Sequence, residues 1–130
     1  MKYVDVNVFV YWFTNPEEFG ETATRIIERI ERGERAITSA LTIWLLHIIL
    51  SEITENYNPS EMLRRINLLR GLRIVPLTKE IIQEAINAAN EYNLDLEDAI
   101  HLVTAMRYGA REIYSNDADF DRTPLIRVFE

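Results

Sequence analysis

The sequence predicts an α/β fold of three layers, α/β/α, with a central, mostly parallel sheet of about five strands. Three observations predict it. Short runs of β-branched and aromatic residues alternate with helical segments of roughly 10–20 residues, which is the pattern of strands joined by crossover helices. The connections are short, and no linker, repeat or low-complexity tract interrupts them. The chain has 130 residues, enough for one domain with a hydrophobic core and too few for two, so residues 1–130 read as a single domain.

The elements follow in order. Tyr3–Val6 reads as a short strand running into a helix that carries Phe9, Val10 and Phe13, and Pro16 breaks that helical pattern. A long amphipathic helix comes next, with Ile26, Ile27 and Ile30 on its apolar side, and it runs up to Gly33. Ala36–Thr38 is the second strand, and a third helix extends from Leu41 to about Glu55. Asn58-Pro59-Ser60-Glu61 is a helix start, with a capping residue, proline at the first position and glutamate at the third. That helix stops near Gly71, and Arg73–Pro76 is the third strand. Thr78 caps a helix reaching Asn93, and Asp95 caps another ending at Gly109. Glu112–Ser115 and Ile126–Phe129 complete the strands.

Composition narrows the function. Hydrophobic residues make up 48% and charged residues 27%, which excludes a disordered or fibrous chain. There is no cysteine, so disulfide scaffolds, zinc–thiolate sites and thiol nucleophiles are excluded. The opening MKYVDVNVFVYWF carries an aspartate inside its apolar run and no small-residue cleavage site, unlike a signal peptide. No apolar stretch reaches the roughly 18 residues of a membrane span, and a cytoplasmic location is expected. The net charge of −7 argues against holding nucleic acid by bulk electrostatics. It leaves open an enzyme that gathers carboxylates around metal ions.

In a doubly wound sheet the functional groups lie at the carboxyl ends of strands, near the point where strand order reverses. Asp5 sits at such an end, between Val4 and Val6, where a buried carboxylate needs a partner such as a cation. The competing reading is that Asp5 caps the following helix. Asp98 lies in the first turn of its helix, where the macrodipole favours an acid, and Asp95 with Asp98 forms a variant capping box. Ser115-Asn116-Asp117-Ala118-Asp119-Phe120-Asp121 leaves the fourth strand at its carboxyl end, and three carboxylates in five residues repel unless solvated or sharing a cation. Asp5, Asp98 and Asp117 thus come from three segments that the sheet can bring to one edge. Their hard oxygens suit Mg²⁺ or Mn²⁺, and the reaction class is metal-dependent phosphodiester hydrolysis.

Three stretches carry a family resemblance: Asp5-Val6-Asn7, Leu96-Glu97-Asp98-Ala99-Ile100-His101 and Ser115-Asn116-Asp117-Ala118-Asp119-Phe120. In this order and spacing they make the chain, over nearly its whole length, similar to the PIN domain family of VapC-type toxin ribonucleases and RNA-processing nucleases. The resemblance implies a PIN-like three-layer fold, an acidic Mg²⁺ or Mn²⁺ site and endonucleolytic cleavage of RNA. It implies catalytic and metal-binding roles for Asp5, Asp98 and Asp117, site-shaping roles for Asn7 and Ser115, and a fringe ligand in Asp119. Toxin members usually dimerise and are silenced by a small antitoxin whose tail enters the active-site groove, so the implied partners are RNA, an antitoxin and a second copy.

One position departs from the family pattern. Relatives generally carry a glutamate in a stretch reading Ser-x-x-Thr-x-x-Glu, and here Ser39-Ala40-Leu41-Thr42-Ile43-Trp44-Leu45 puts Leu45 there. Glu52 lies two turns further on, about 10 Å along the axis, and is a poor substitute. Leu45 cannot bind a cation, so weak or absent catalysis is expected, and a PIN-fold protein that binds RNA or a partner is the second reading. A third, a phosphatase using Asp5 as nucleophile, wants an aspartate where the chain has Asn7.

The remaining features are weaker. LTIWLLHIIL is apolar nearly all round, so this helix is expected to be central or part of a homodimer interface around Trp44. His47 and His101 read as packing or hydrogen-bonded residues. Arg64, Arg65, Arg70 and Arg73 are the best local group for phosphate contact, against the alternative of a solvated face paired with nearby glutamates.

Overall fold

Every expected strand and helix forms in the computed structural model, which describes residues 1–130. In chain order they are β1 (Lys2–Val4), α1 (Val6–Thr14), α2 (Gly20–Glu31), β2 (Ala36–Ser39), α3 (Ala40–Ile53), α4 (Pro59–Asn67), β3 (Leu72–Val75), α5 (Lys79–Tyr92), α6 (Leu96–Arg107), β4 (Glu112–Tyr114) and β5 (Ile126–Val128). The sheet has the order β3-β2-β1-β4-β5, and every pairing is parallel.

Strand alternation divides the core into two layers. Tyr3, Ile37, Val75 and Ile113 point to the face covered by α5 and α6, where Ile81, Ala85, Leu102 and Phe120 join them. Val4, Ala36 and Tyr114 point to the other face, against α1 to α4, where Phe9, Ile26, Ile30, Leu46, Leu50 and Ile66 complete the second layer. Register follows from this burial, with Tyr3 opposite Ile37 on one side and Ile113 on the other. Gly71 is required where the chain passes the end of α2, since an added Cβ would lie 1.9 Å from the Glu34 carbonyl oxygen.

The boundaries differ from expectation at the strand ends. Val6 belongs to α1 and not to β1, because the Asp5 side chain accepts the Val6 N–H and starts the helix one residue earlier. Ser115 likewise falls outside β4, and β3 runs from Leu72 to Val75. The acidic stretch after β4, to which the sequence reading assigns no helix or strand, forms a 3-10 helix over Ala118–Arg122 that Asp117 caps through the Asp119 N–H. Asn58, Thr78 and Asp95 cap their helices as expected. No helix is long and apolar enough to cross a membrane.

The order 3-2-1-4-5 places the reversal between β1 and β4. From β1 the chain builds outward through β2 and β3, whereas β5 lies outside β4 on the opposite side. The crevice beyond the carboxyl ends of β1 and β4 is therefore where a ligand site is expected, with Asp5 directly after β1 and Asp117 three residues after β4.

Candidate functional site

Asp5 occupies the floor of that crevice. It is buried, with 3% of its surface exposed, because it lies between β1 and the first turn of α1 with β4 alongside. Its Oδ1 accepts the Val6 N–H at 2.8 Å, and its Oδ2 accepts the Ser115 hydroxyl at 2.7 Å. Burial pushes the Asp5 pKa upward, opposed by His101, Ser115 and the Val6 amide. The capping role and the buried-charge role, alternatives in the sequence, are thus combined in one side chain.

Ser115 is the hub that joins the segments. Besides donating to Asp5, its hydroxyl accepts the Asp117 N–H at 3.0 Å and the Asn7 side-chain amide at 3.3 Å. Asn7 in turn accepts the Asn116 N–H at 3.4 Å, which braces the turn after β4 against the first turn of α1. Asp5, Asn7, Ser115 and Asp117 therefore form one hydrogen-bonded unit at the sheet edge.

The carboxylates of Asp98, Asp117 and Asp119 converge above it, each offering an oxygen within 4.8 Å of the others. Asp98 is placed at the third position of α6 by the Asp95 cap, which accepts the Asp98 N–H at 2.8 Å. Burial is the main cause that pushes the Asp98 pKa up to about 8, and Asp95, Asp5, Asp117 and Glu97 push in the same direction. Asp5 lies outside the converging trio, yet near enough to be among the charges acting on Asp98. Asp119 is held by an ion pair with Arg122 at 3.0 Å, and Arg122 also donates to the Tyr92 and Asn93 carbonyls at the end of α5. Asp121 turns away into a two-point ion pair with Arg127.

This donor set fits a hard divalent cation. Three carboxylate oxygens from two elements face one another, and their mutual repulsion is what a cation relieves. The chemistry open to such a site is the polarisation of a phosphoryl oxygen and the activation of water.

Leu45 is half-buried and packs with the apolar core on the α1–α4 face. Of the arginine group, Arg64 pairs with Glu61, Arg65 lies over the Trp12 and Phe13 rings at 4.4 and 4.2 Å, and Arg73 lies over Tyr108 at 5.4 Å. Only Arg64 matches the reading of a face paired with nearby glutamates, since Arg65 and Arg73 lie on aromatic rings instead.

Sequence reasoning missed the extent of the buried polar structure under the site. His101 is fully enclosed beside Asp5, and the Tyr3 hydroxyl contacts its Nδ1 at 2.6 Å. Its spacing three residues after Asp98, on the same side of a helix, was the available signal. Nothing in the sequence pointed to Tyr3 or Arg122.

Residues 2–125 match a family model described as PIN domain. Among solved structures, the fold is similar to Mycobacterium tuberculosis VapC20, described as a toxin that cleaves the Sarcin-Ricin loop. That alignment covers 100% of both chains with a TM-score of 0.84 and 16% identity. A chain of a toxin–antitoxin complex from Klebsiella pneumoniae aligns over 97% of this chain and 99% of its own, with a TM-score of 0.70 and 20% identity. A chain of Rickettsia felis VapBC2, solved bound to a DNA fragment from its promoter, aligns over 98% of both chains with a TM-score of 0.69 and 18% identity. No curated protein matches the sequence.

Proposed function

The chain belongs to the PIN domain family, and on that premise we propose that it is a metal-dependent endoribonuclease, the toxin of a VapBC-type toxin–antitoxin pair. The observation that carries the reading is the convergence of Asp98, Asp117 and Asp119 at the reversal point of the sheet, with Asp5 beneath them. In this reading Asp98, Asp117 and Asp119 hold Mg²⁺ or Mn²⁺, and Asp5 adds an oxygen from below. A bound cation supplies positive charge that polarises the phosphoryl group and makes water a better nucleophile. The protein supplies the geometry. Ser115 and Asn7 keep Asp5 and Asp117 in register, and Arg122 keeps Asp119 turned toward its neighbours while balancing part of its charge.

The partners follow from the same reading. RNA is the substrate, and a small antitoxin is the inhibitor, supported by the toxin–antitoxin complexes among the similar structures. A homodimer is supported by α3 and α4. Trp44 is 60% exposed and lies in an apolar groove of about 530 Å³ with Ile43, Met62, Leu63 and Ile74, a surface that a second copy would cover.

A second reading, a PIN-fold protein that binds RNA or a partner with little catalysis, is favoured by Leu45, a residue without ligand atoms that packs among apolar side chains. One experiment separates them. The protein is incubated with structured RNA and Mg²⁺ or Mn²⁺ beside Asp5→Asn and Leu45→Glu. Cleavage by the wild type that is lost in Asp5→Asn supports the ribonuclease; binding without cleavage, with cleavage appearing in Leu45→Glu, supports the second reading.

A further inference from the structure

Beneath the acidic edge lies a buried group that the proposed reaction leaves unexplained. His101 on α6 is fully enclosed, and its Nε2 is the one buried side-chain nitrogen or oxygen without a hydrogen-bond partner. Leaving such a group unpaired costs about 1–3 kcal/mol, so its presence in the core requires a physical reason.

The surroundings of the ring supply one. The His101 Nδ1 lies 2.6 Å from the Tyr3 hydroxyl, and that hydroxyl accepts the Ser39 amide N–H at 3.2 Å. With the Ser39 N–H directed at its oxygen, the Tyr3 hydroxyl keeps its own proton to donate, and Nδ1 is the acceptor assigned to it. A neutral imidazole carries a single N–H, so Tyr3 places that proton on Nε2. The Nε2 atom lies 3.7 Å from Asp5 Oδ1, longer than a hydrogen bond but separated from one by a shift of well under the length of a bond.

Counting lone pairs gives this contact a consequence. Oδ1 of Asp5 already accepts the Val6 N–H, and a second donor from His101 fills it. Oδ2 accepts only the Ser115 hydroxyl and keeps a lone pair free. We propose that His101, its tautomer set by Tyr3, is a positioning residue that ties down Asp5 Oδ1 and leaves Oδ2 as the oxygen offered to the cation. The proposal rests on the metal-dependent reading of the site and extends it downward, through α6 and β1, to the end of β2. Ser39, Tyr3, His101, Asp5 and Ser115 then form one polar path crossing under the carboxylates.

The test has a spectroscopic part and a binding part. Long-range ¹H–¹⁵N correlation spectra of ¹⁵N-histidine-labelled protein at neutral pH report which ring nitrogen of His101 carries the proton. The expected result is the Nε2–H tautomer in the wild type and a changed tautomer population in Tyr3→Phe. Calorimetric titration with Mn²⁺ then compares the wild type with His101→Leu and His101→Gln, with folding checked by circular dichroism. His101→Leu should bind Mn²⁺ about 10-fold or more weakly, and His101→Gln, which keeps a donor, should recover part of the loss. Should His101→Leu fail to fold, Tyr3→Phe carries the same binding comparison. An imidazolium or an Nδ1–H tautomer in the wild type overturns the proposal, and so does unchanged Mn²⁺ affinity in folded His101→Leu. A wild type that binds no Mn²⁺ overturns the proposal together with the metal-dependent reading on which it rests, whereas bound Mn²⁺ with the wrong tautomer overturns the proposal alone.

Discussion

Replacing Asp98 by asparagine should stabilise the protein when divalent cations are absent, and by an amount that grows with pH. The Asp98 carboxyl has its pKa pushed from 3.8 to about 8, chiefly by burial and then by Asp95, Asp5, Asp117 and Glu97. In the unfolded chain the group ionises near its ordinary value, so between about pH 4 and pH 8 the folded state holds a proton that the unfolded state has released. Stability therefore falls as pH rises through that window. Each unit of difference is worth roughly 1.4 kcal/mol, which sets the ceiling of the cost at about 3 kcal/mol near pH 6 and about 5 kcal/mol at pH 8. An asparagine side chain cannot ionise, and the backbone N–H at this position still donates to Asp95. The assay is a series of thermal melts in chelator from pH 4 to pH 8.5. At the low end the two proteins should melt together. At pH 8 the variant should melt higher, by roughly 3 °C for each kcal/mol recovered in a domain of this size. Saturating Mn²⁺ should reverse the order at pH 8, because the wild type gains a ligand interaction that the variant lacks. A melting difference that is independent of pH, or a variant less stable than the wild type at pH 8 in chelator, would refute the reasoning.

Leu45→Glu should raise Mn²⁺ affinity in a calorimetric titration and lower stability by about 1–3 kcal/mol, since a carboxylate enters an apolar setting on the α1–α4 face. Ser115→Ala removes the hydroxyl that serves Asp5, Asn7 and Asp117, and should cost about 1–3 kcal/mol in denaturant unfolding together with weaker Mn²⁺ binding. Arg122→Gln should loosen Asp119 and the 3-10 helix, read as faster amide exchange over residues 118–122 than in the wild type. Trp44→Glu should shift a dimer toward monomer by light scattering at micromolar concentration; a wild type that is already monomeric defeats the dimer proposal.

Most of the fold is legible in the sequence because it depends on patterns of short range. The apolar runs, the Asn58-Pro59-Ser60-Glu61 start and the Thr78 and Asp95 caps act within a few residues, and the elements they mark all form. One error lies where a single residue serves two elements. Asp5 reads as part of a strand end, whereas its side chain starts α1, so the strand is shorter. The stretch after β4 is given no element, and its three acids in five residues repel one another. Asp117 overcomes this locally by capping the 3-10 turn, while Asp119 and Asp121 pair with Arg122 and Arg127.

The site is legible as a list of residues and not as an arrangement. Asp5, Asn7, Asp98, Ser115, Asp117 and Asp119 can be named from residue type and position beside strand ends and helix starts. Their mutual distances depend on strand order, which no local pattern encodes. Placing β1 beside β4 brings Ser115 onto Asp5, and packing α6 across the same edge brings Asp98 to Asp117 and Asp119 while burying His101 against Tyr3. The sequence by itself determined the three-layer class, the caps and the acidic inventory, because these follow from periodicity and charge along the chain. Only the tertiary structure decided which carboxylates face one another and which lies beneath, because burial and electrostatic repulsion act through space between segments up to 110 residues apart.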